Sequence, residues 1–183
     1  NGGSNTHGTG VAEIVVDTAP DTDLYLANFQ TGVEYANAVE WMRDQDVDVI
    51  VMSVSFFQQP YDGSGFISEV ADDAADDGIV WVNSAGNYAK SHWQGKYDDP
   101  DDDQWLNFDA NDEGNDIARG EQLRAGSSVW VYLNWKEWGD TEKTDYDLHL
   151  FKQQPDGTLE LIQRSHRPQD SNTEPWELIQ TTV

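Results

Sequence analysis

The sequence predicts an α/β chain in two parts: a parallel sheet with helices on both faces, then an all-β sandwich or jelly-roll module. Three observations predict it. Between residue 7 and about residue 90, helical stripes alternate with short apolar runs. Those runs are apolar on both faces, as in a parallel sheet covered on both sides. From about residue 120 the apolar period changes to two, the pattern of half-buried strands.

Taken in order, the first helix follows His7, where Val11, Ile14 and Val15 share one face. The run Leu24 to Phe29 then reads as a strand. Tyr35, Ala38, Val39 and Met42 fall at i, i+3, i+4 and i+7 and predict a second helix. The run Val47 to Val54 is a second strand. Ile67, Val70, Ala71 and Ala74 repeat the helical spacing, and Gly78 stands where a helix C-cap glycine belongs. Ile79 to Val82 is the next strand. Between the two parts, Tyr97 to Gly120 is acidic and lacks periodicity. Beyond it, Val129, Val131, Leu133 and Trp135 alternate with Trp130, Tyr132 and Asn134. Tyr146, Leu148 and Leu150 alternate in the same way with Asp147, His149 and Phe151. Pro155-Asp156-Gly157 reads as a turn before an extended segment at Leu159 to Ile162.

Charge excludes several partners. The 183 residues carry 35 acids against 10 bases, a net charge of −25. A nucleic-acid surface needs a basic face, and anionic lipid repels this chain. The acids are spread along the whole length, which fits a surface adapted to high salt, where screening relieves self-repulsion. Cation sites are the alternative. There is no cysteine, so no disulfide holds the fold. No apolar run approaches the ~18 residues of a membrane span.

Three motifs carry chemistry. His7-Gly8-Thr9-Gly10 opens a helix, and an imidazole is a suitable general base near neutral pH. Asp48-Val49-Ile50-Val51-Met52-Ser53 reads as a strand. Val80-Trp81-Val82-Asn83-Ser84-Ala85-Gly86-Asn87 is a second strand ending in Ala-Gly-Asn, whose asparagine amide is an uncharged hydrogen-bond donor. In this order the three resemble the subtilisin-like serine peptidases over residues 1 to about 95. The resemblance implies that His7 is the general base and Asn87 the oxyanion donor. It also implies that Ser53, Val54 and Ser55 line one wall of the specificity pocket, with Ala85 and Gly86 on the other. Ser55 stands where the family usually has glycine, which puts backbone pairing with substrate in doubt.

The family's triad also needs an aspartate before the histidine and a serine in a Gly-Thr-Ser-Met-Ala helix start. Neither motif is in this sequence; Gly63-Ser64-Gly65 and Gly126-Ser127-Ser128 have the wrong flanks. The chain is therefore expected to be a piece of a secreted, extracellular serine endopeptidase, inactive as it stands. Its domains would be 1–95, a partial catalytic domain, and 96–183, an acidic linker with an inserted β module. Its partners would be a protein or peptide substrate and the remainder of its own catalytic domain. A non-catalytic scaffold on a degenerate peptidase fold, or a carbohydrate-binding β module, are the competing readings.

For metals, Asp99, Asp101 and Asp103 alternate as hard oxygen ligands for calcium do, yet the EF-hand glycine and glutamate are absent. A solvated acidic loop is the other reading. His92, His149 and His166 have no i, i+4 partner for zinc, and no phosphate-cradling loop is present.

Overall fold

The computed structural model describes residues 6–183 except 111, 119, 121 and 142. The chain is mixed α/β and divides into two compact units, Asn1–Gly86 and Asn87–Val183.

The first unit contains α1 (His7–Thr18), α2 (Gly32–Asp44), β1 (Val49–Met52), α3 (Phe66–Asp76) and β2 (Val80–Asn83). β1 and β2 pair in parallel, Val49 with Val80 through Met52 with Asn83. Helix α2 starts where it does because Thr31 and Glu34 form a capping box. The Thr31 side chain accepts from the Glu34 N–H, and the Glu34 carboxylate accepts from the Thr31 N–H. Gly78, at φ +91°, turns the chain after α3 into β2, a conformation costly to any residue with a Cβ.

Tyr35 and Val39 of α2, Ala74 of α3, Ile50 of β1 and Ile79 form the core. Phe29, Phe56 and Trp81 ring Tyr35 at centroid distances of 5.4, 5.3 and 6.3 Å. The Tyr35 hydroxyl donates to the Ile67 carbonyl at 3.2 Å, so the buried polar tip is satisfied. Across the unit, Arg43 of α2 reaches the Asp77 carboxylate just after α3.

Three expectations are corrected in this unit. The sheet is packed on the Ile50–Trp81 side only; Val49, Val51, Val80 and Val82 on the other side are 47–57% exposed. Likewise α1 buries no residue, and Ile14 of its apolar stripe is exposed. The run Leu24–Phe29 is not a strand either. Its apolar residues have the composition of a strand, but a strand exists only where a neighbour completes its ladder.

The second unit contains β3 (Ser128–Asn134), β4 (Leu148–Gln153), β5 (Leu159–Ser165) and β6 (Trp176–Thr182). β3 pairs with β6 and β4 with β5, both antiparallel. The predicted Pro155-Asp156-Gly157 turn closes the β4–β5 hairpin, with Gly157 at φ +87° and the Thr158 N–H donating to the Asp156 carboxylate. Strand β6 was not among the predicted elements. Its Ile179 is fully buried, as is Glu177, whose carboxylate accepts from the Ser165 hydroxyl, the Arg167 N–H and the Gln169 side-chain amide. Arg167 stacks its guanidinium 3.9 Å above the Trp176 ring.

Candidate active site

His7 is the first residue of α1, one position deeper in the helix than the sequence suggests. Gly10 donates back to the Thr6 carbonyl at 2.9 Å and closes the first turn. The imidazole projects from this exposed end, and its Nε2 lies 3.0 Å from the Ser53 carbonyl oxygen. A carbonyl oxygen only accepts, so in this arrangement Nε2 carries the hydrogen and donates.

Ser53 immediately follows β1, and Ser84 immediately follows β2. The Ser84 N–H donates to the Met52 carbonyl at 3.0 Å, extending the parallel pairing just past the strand ends. Ser53, Val54 and Ser55 therefore leave the carboxyl end of β1 as Ala85 and Gly86 leave the carboxyl end of β2. Open α/β sheets place their ligands at the carboxyl ends of their strands. Gly86 adopts φ +79°, which only glycine takes without strain, and this turns the chain toward Asn87. Val54, Ser55, Ala85 and Gly86 are exposed, and Ser53 is half-buried. The structure thus brings His7 to the end of β1 and sets the two predicted pocket segments on adjacent strands. Asn87 is an exposed bend residue that opens the second unit and is described with it.

Sequence reasoning did not single out the Ser53 main-chain oxygen as the partner of His7. No side-chain pattern could have shown it, because the contact is made by backbone. A groove of about 270 Å³ also runs along α1, lined by Thr9, Ala12, Glu13, Val16, Asp17 and Leu24.

In the second unit, Asp99, Asp101 and Asp103 each offer a carboxylate oxygen within 4.8 Å of the others and could hold a metal ion. Partial burial pushes the Asp99 carboxyl up. The Gln104 and Asp103 N–H groups and the Tyr97 hydroxyl outweigh that and hold it below the usual carboxylate range. The neighbouring Glu113 carboxyl is raised, first by the charge of Asp103, then by desolvation and by Asp101 and Asp99. Concentrated negative charge of this kind is what a hard cation relieves.

Comparison with known protein families decides the family. The model of the subtilase family of serine peptidases (peptidase S8) matches residues 1–120. The chain belongs to the subtilase family. The match covers the whole histidine-to-asparagine constellation and continues through the acidic loop. No curated protein and no solved structure matches the chain. Membership implies a serine peptidase acting on protein or peptide substrates. Among the described residues, no helix is long and apolar enough to cross a membrane.

Proposed function

We propose that this subtilase chain is part of the catalytic domain of a secreted serine endopeptidase. His7 is its general base, and the Asn87 amide meets the oxyanion of the tetrahedral intermediate. Ser53, Val54 and Ser55 face Ala85 and Gly86 across the pocket that takes the substrate side chain. The observation that carries this reading is the His7–Ser53 contact, which holds the imidazole at the carboxyl end of a parallel strand pair. A general base must be positioned before its basicity matters. Activity requires that the ring release Ser53 and carry its hydrogen on Nδ1 instead, so that Nε2 can accept from the hydroxyl of a nucleophile. The sequence contains no Gly-Thr-Ser-Met-Ala helix start, so this chain alone does not cleave peptide bonds. Hydrolysis of a casein or peptide substrate by the isolated chain, abolished by a serine-directed inhibitor, would overturn that statement. In the full-length peptidase, loss of activity on His7→Ala supports the reading, and undiminished activity refutes it.

Two accessory properties belong with it. The aspartates of the 99–103 loop bind calcium, whose flexible all-oxygen coordination suits three adjacent carboxylates. Calorimetric titration with calcium should give binding that Asp101→Asn weakens; no heat above the buffer blank would overturn it. The charge of −25 adapts the surface to high salt.

One observation favours a second reading for the β unit. Trp130 is 53% exposed and stacks on Tyr132 at 6.4 Å along the open face of β3, an arrangement suited to the face of a sugar ring. Retention on insoluble glycans, lost in Trp130→Ala, would support a carbohydrate-binding role.

A further inference from the structure

The β4–β5 ribbon has two unlike faces. Ser165, which bonds Glu177 of β6, shares a face with Leu148 and Leu150. Directly paired residues of an antiparallel ladder project to the same side, so the other face carries His149, Arg164, Phe151, Leu161, Gln153 and Leu159. Trp105, from the acidic loop, lies edge-on to both rings, its centroid 5.3 Å from His149 and 6.1 Å from Phe151. Phe151, Trp105, Leu161 and Leu159 are 37, 41, 47 and 63% exposed. Exposed apolar side chains clustered on one face of so acidic a chain mark an interaction surface.

The rim of this face is negative. The Trp105 backbone N–H donates to the Asp103 carboxylate at 2.9 Å, so the residue that carries the indole follows directly on the Asp99, Asp101 and Asp103 cluster. Arg164, paired with His149, adds one positive charge to the same face at its His149 end. Apolar surface beside concentrated carboxylates selects a partner with the opposite charge and the same apolarity. A second copy of this chain, itself at −25, is repelled; so are nucleic acid and anionic lipid.

We propose that this face docks an extended polypeptide segment that carries lysine or arginine beside leucine or aromatic residues. The apolar side chains cover Phe151, Leu161 and Leu159. In the calcium-free protein the cation meets the carboxylates of the 99–103 loop, for which calcium competes, and the exposed ring of Trp105, whose face attracts positive charge. Contacts made within a few ångströms and partly desolvated are screened by salt far less than long-range attraction. The proposal stands independently of the peptidase reading, since none of its residues has a catalytic or pocket role in that reading.

The test is fluorescence anisotropy with the whole chain and a labelled, alternating lysine–leucine peptide. Alternating lysine–serine and glutamate–leucine peptides serve as controls, at about 0.1 M KCl, where the Debye length is about 10 Å. The lysine–leucine peptide should bind at least about tenfold more tightly than either control, a difference of about 1.4 kcal/mol. Asp101→Asn and Leu161→Gln, both at exposed positions, should each weaken it several-fold with the circular dichroism spectrum unchanged. Leu159→Gln is the substitute should Leu161→Gln not fold. Equal binding of all three peptides, or full affinity in the variants, overturns the proposal. So does a concentration-dependent dimer abolished by Leu161→Gln, which would assign the face to a second copy.

Discussion

The imidazole Nε2 of His7 and the main-chain oxygen of Ser53, 46 residues later, lie 3.0 Å apart. This contact ties the exposed start of α1 to the carboxyl end of β1, although α1 buries none of its residues. It also selects a tautomer, since only a protonated Nε2 can donate to a carbonyl. Nitrogen-15 NMR of the histidine rings should find His7 protonated at Nε2 in its neutral form. Ser53→Ala should leave that signal unchanged, because the acceptor belongs to the backbone. A neutral His7 protonated at Nδ1 would contradict the contact.

Tyr35 makes the first unit sensitive to alkali. Burial raises its hydroxyl from 10.0 to about 12, so the folded protein keeps a proton that the unfolded chain releases earlier. The sign follows from that order. The contribution is whole below pH 10 and is lost as pH climbs to about 12, with a slope approaching about 1.4 kcal/mol per pH unit. Chemical denaturation across that window should show the decline. Tyr35→Phe should flatten it, at a cost near neutral pH of about 1 kcal/mol for the lost bond to Ile67. An unchanged slope in Tyr35→Phe would assign the alkaline transition elsewhere.

The core of the first unit was legible because its elements obey one period each. Tyr35 and Val39 lie on the buried stripe of α2, Ala74 on that of α3, and the apolar run around Ile50 became a strand. The sequence misled where a pattern needs a partner to become structure. Leu24–Phe29 is apolar but has no ladder, and Val49, Val51, Val80 and Val82 have strand composition but no cover. β6 was missed because Glu177 interrupts its apolar alternation; the carboxylate is buried only because three donors from the 165–169 segment meet it. The apolar runs that became β1 and β2 were readable, whereas the backbone acceptor at Ser53 was not.

Glu177 should therefore be the most sensitive polar position of the second unit. Glu177→Ala leaves the Ser165 hydroxyl, the Arg167 N–H and the Gln169 amide without their acceptor, at a cost of about 3 kcal/mol. Thermal unfolding followed by near-ultraviolet circular dichroism would register it through the neighbouring Trp176. A variant as stable as the parent chain would mean that these groups find other partners.

Salt should stabilise this protein. With 35 acids and 10 bases, self-repulsion opposes the compact state, and added ions screen it. The thermal midpoint should rise from low to molar KCl. A flat or falling midpoint would remove the case for adaptation to high salt.

The central claim is that His7 and Asn87 belong to one catalytic set. Steady-state peptide hydrolysis by the full-length peptidase containing this chain tests it most directly, comparing His7→Ala and Asn87→Ala with the unmodified enzyme. His7→Ala should lower kcat by more than about 10³-fold. Asn87→Ala should lower kcat by about 10²–10³ with KM little altered, a magnitude taken from the corresponding donor of subtilisin itself. Unchanged kcat in both variants would contradict the assignment.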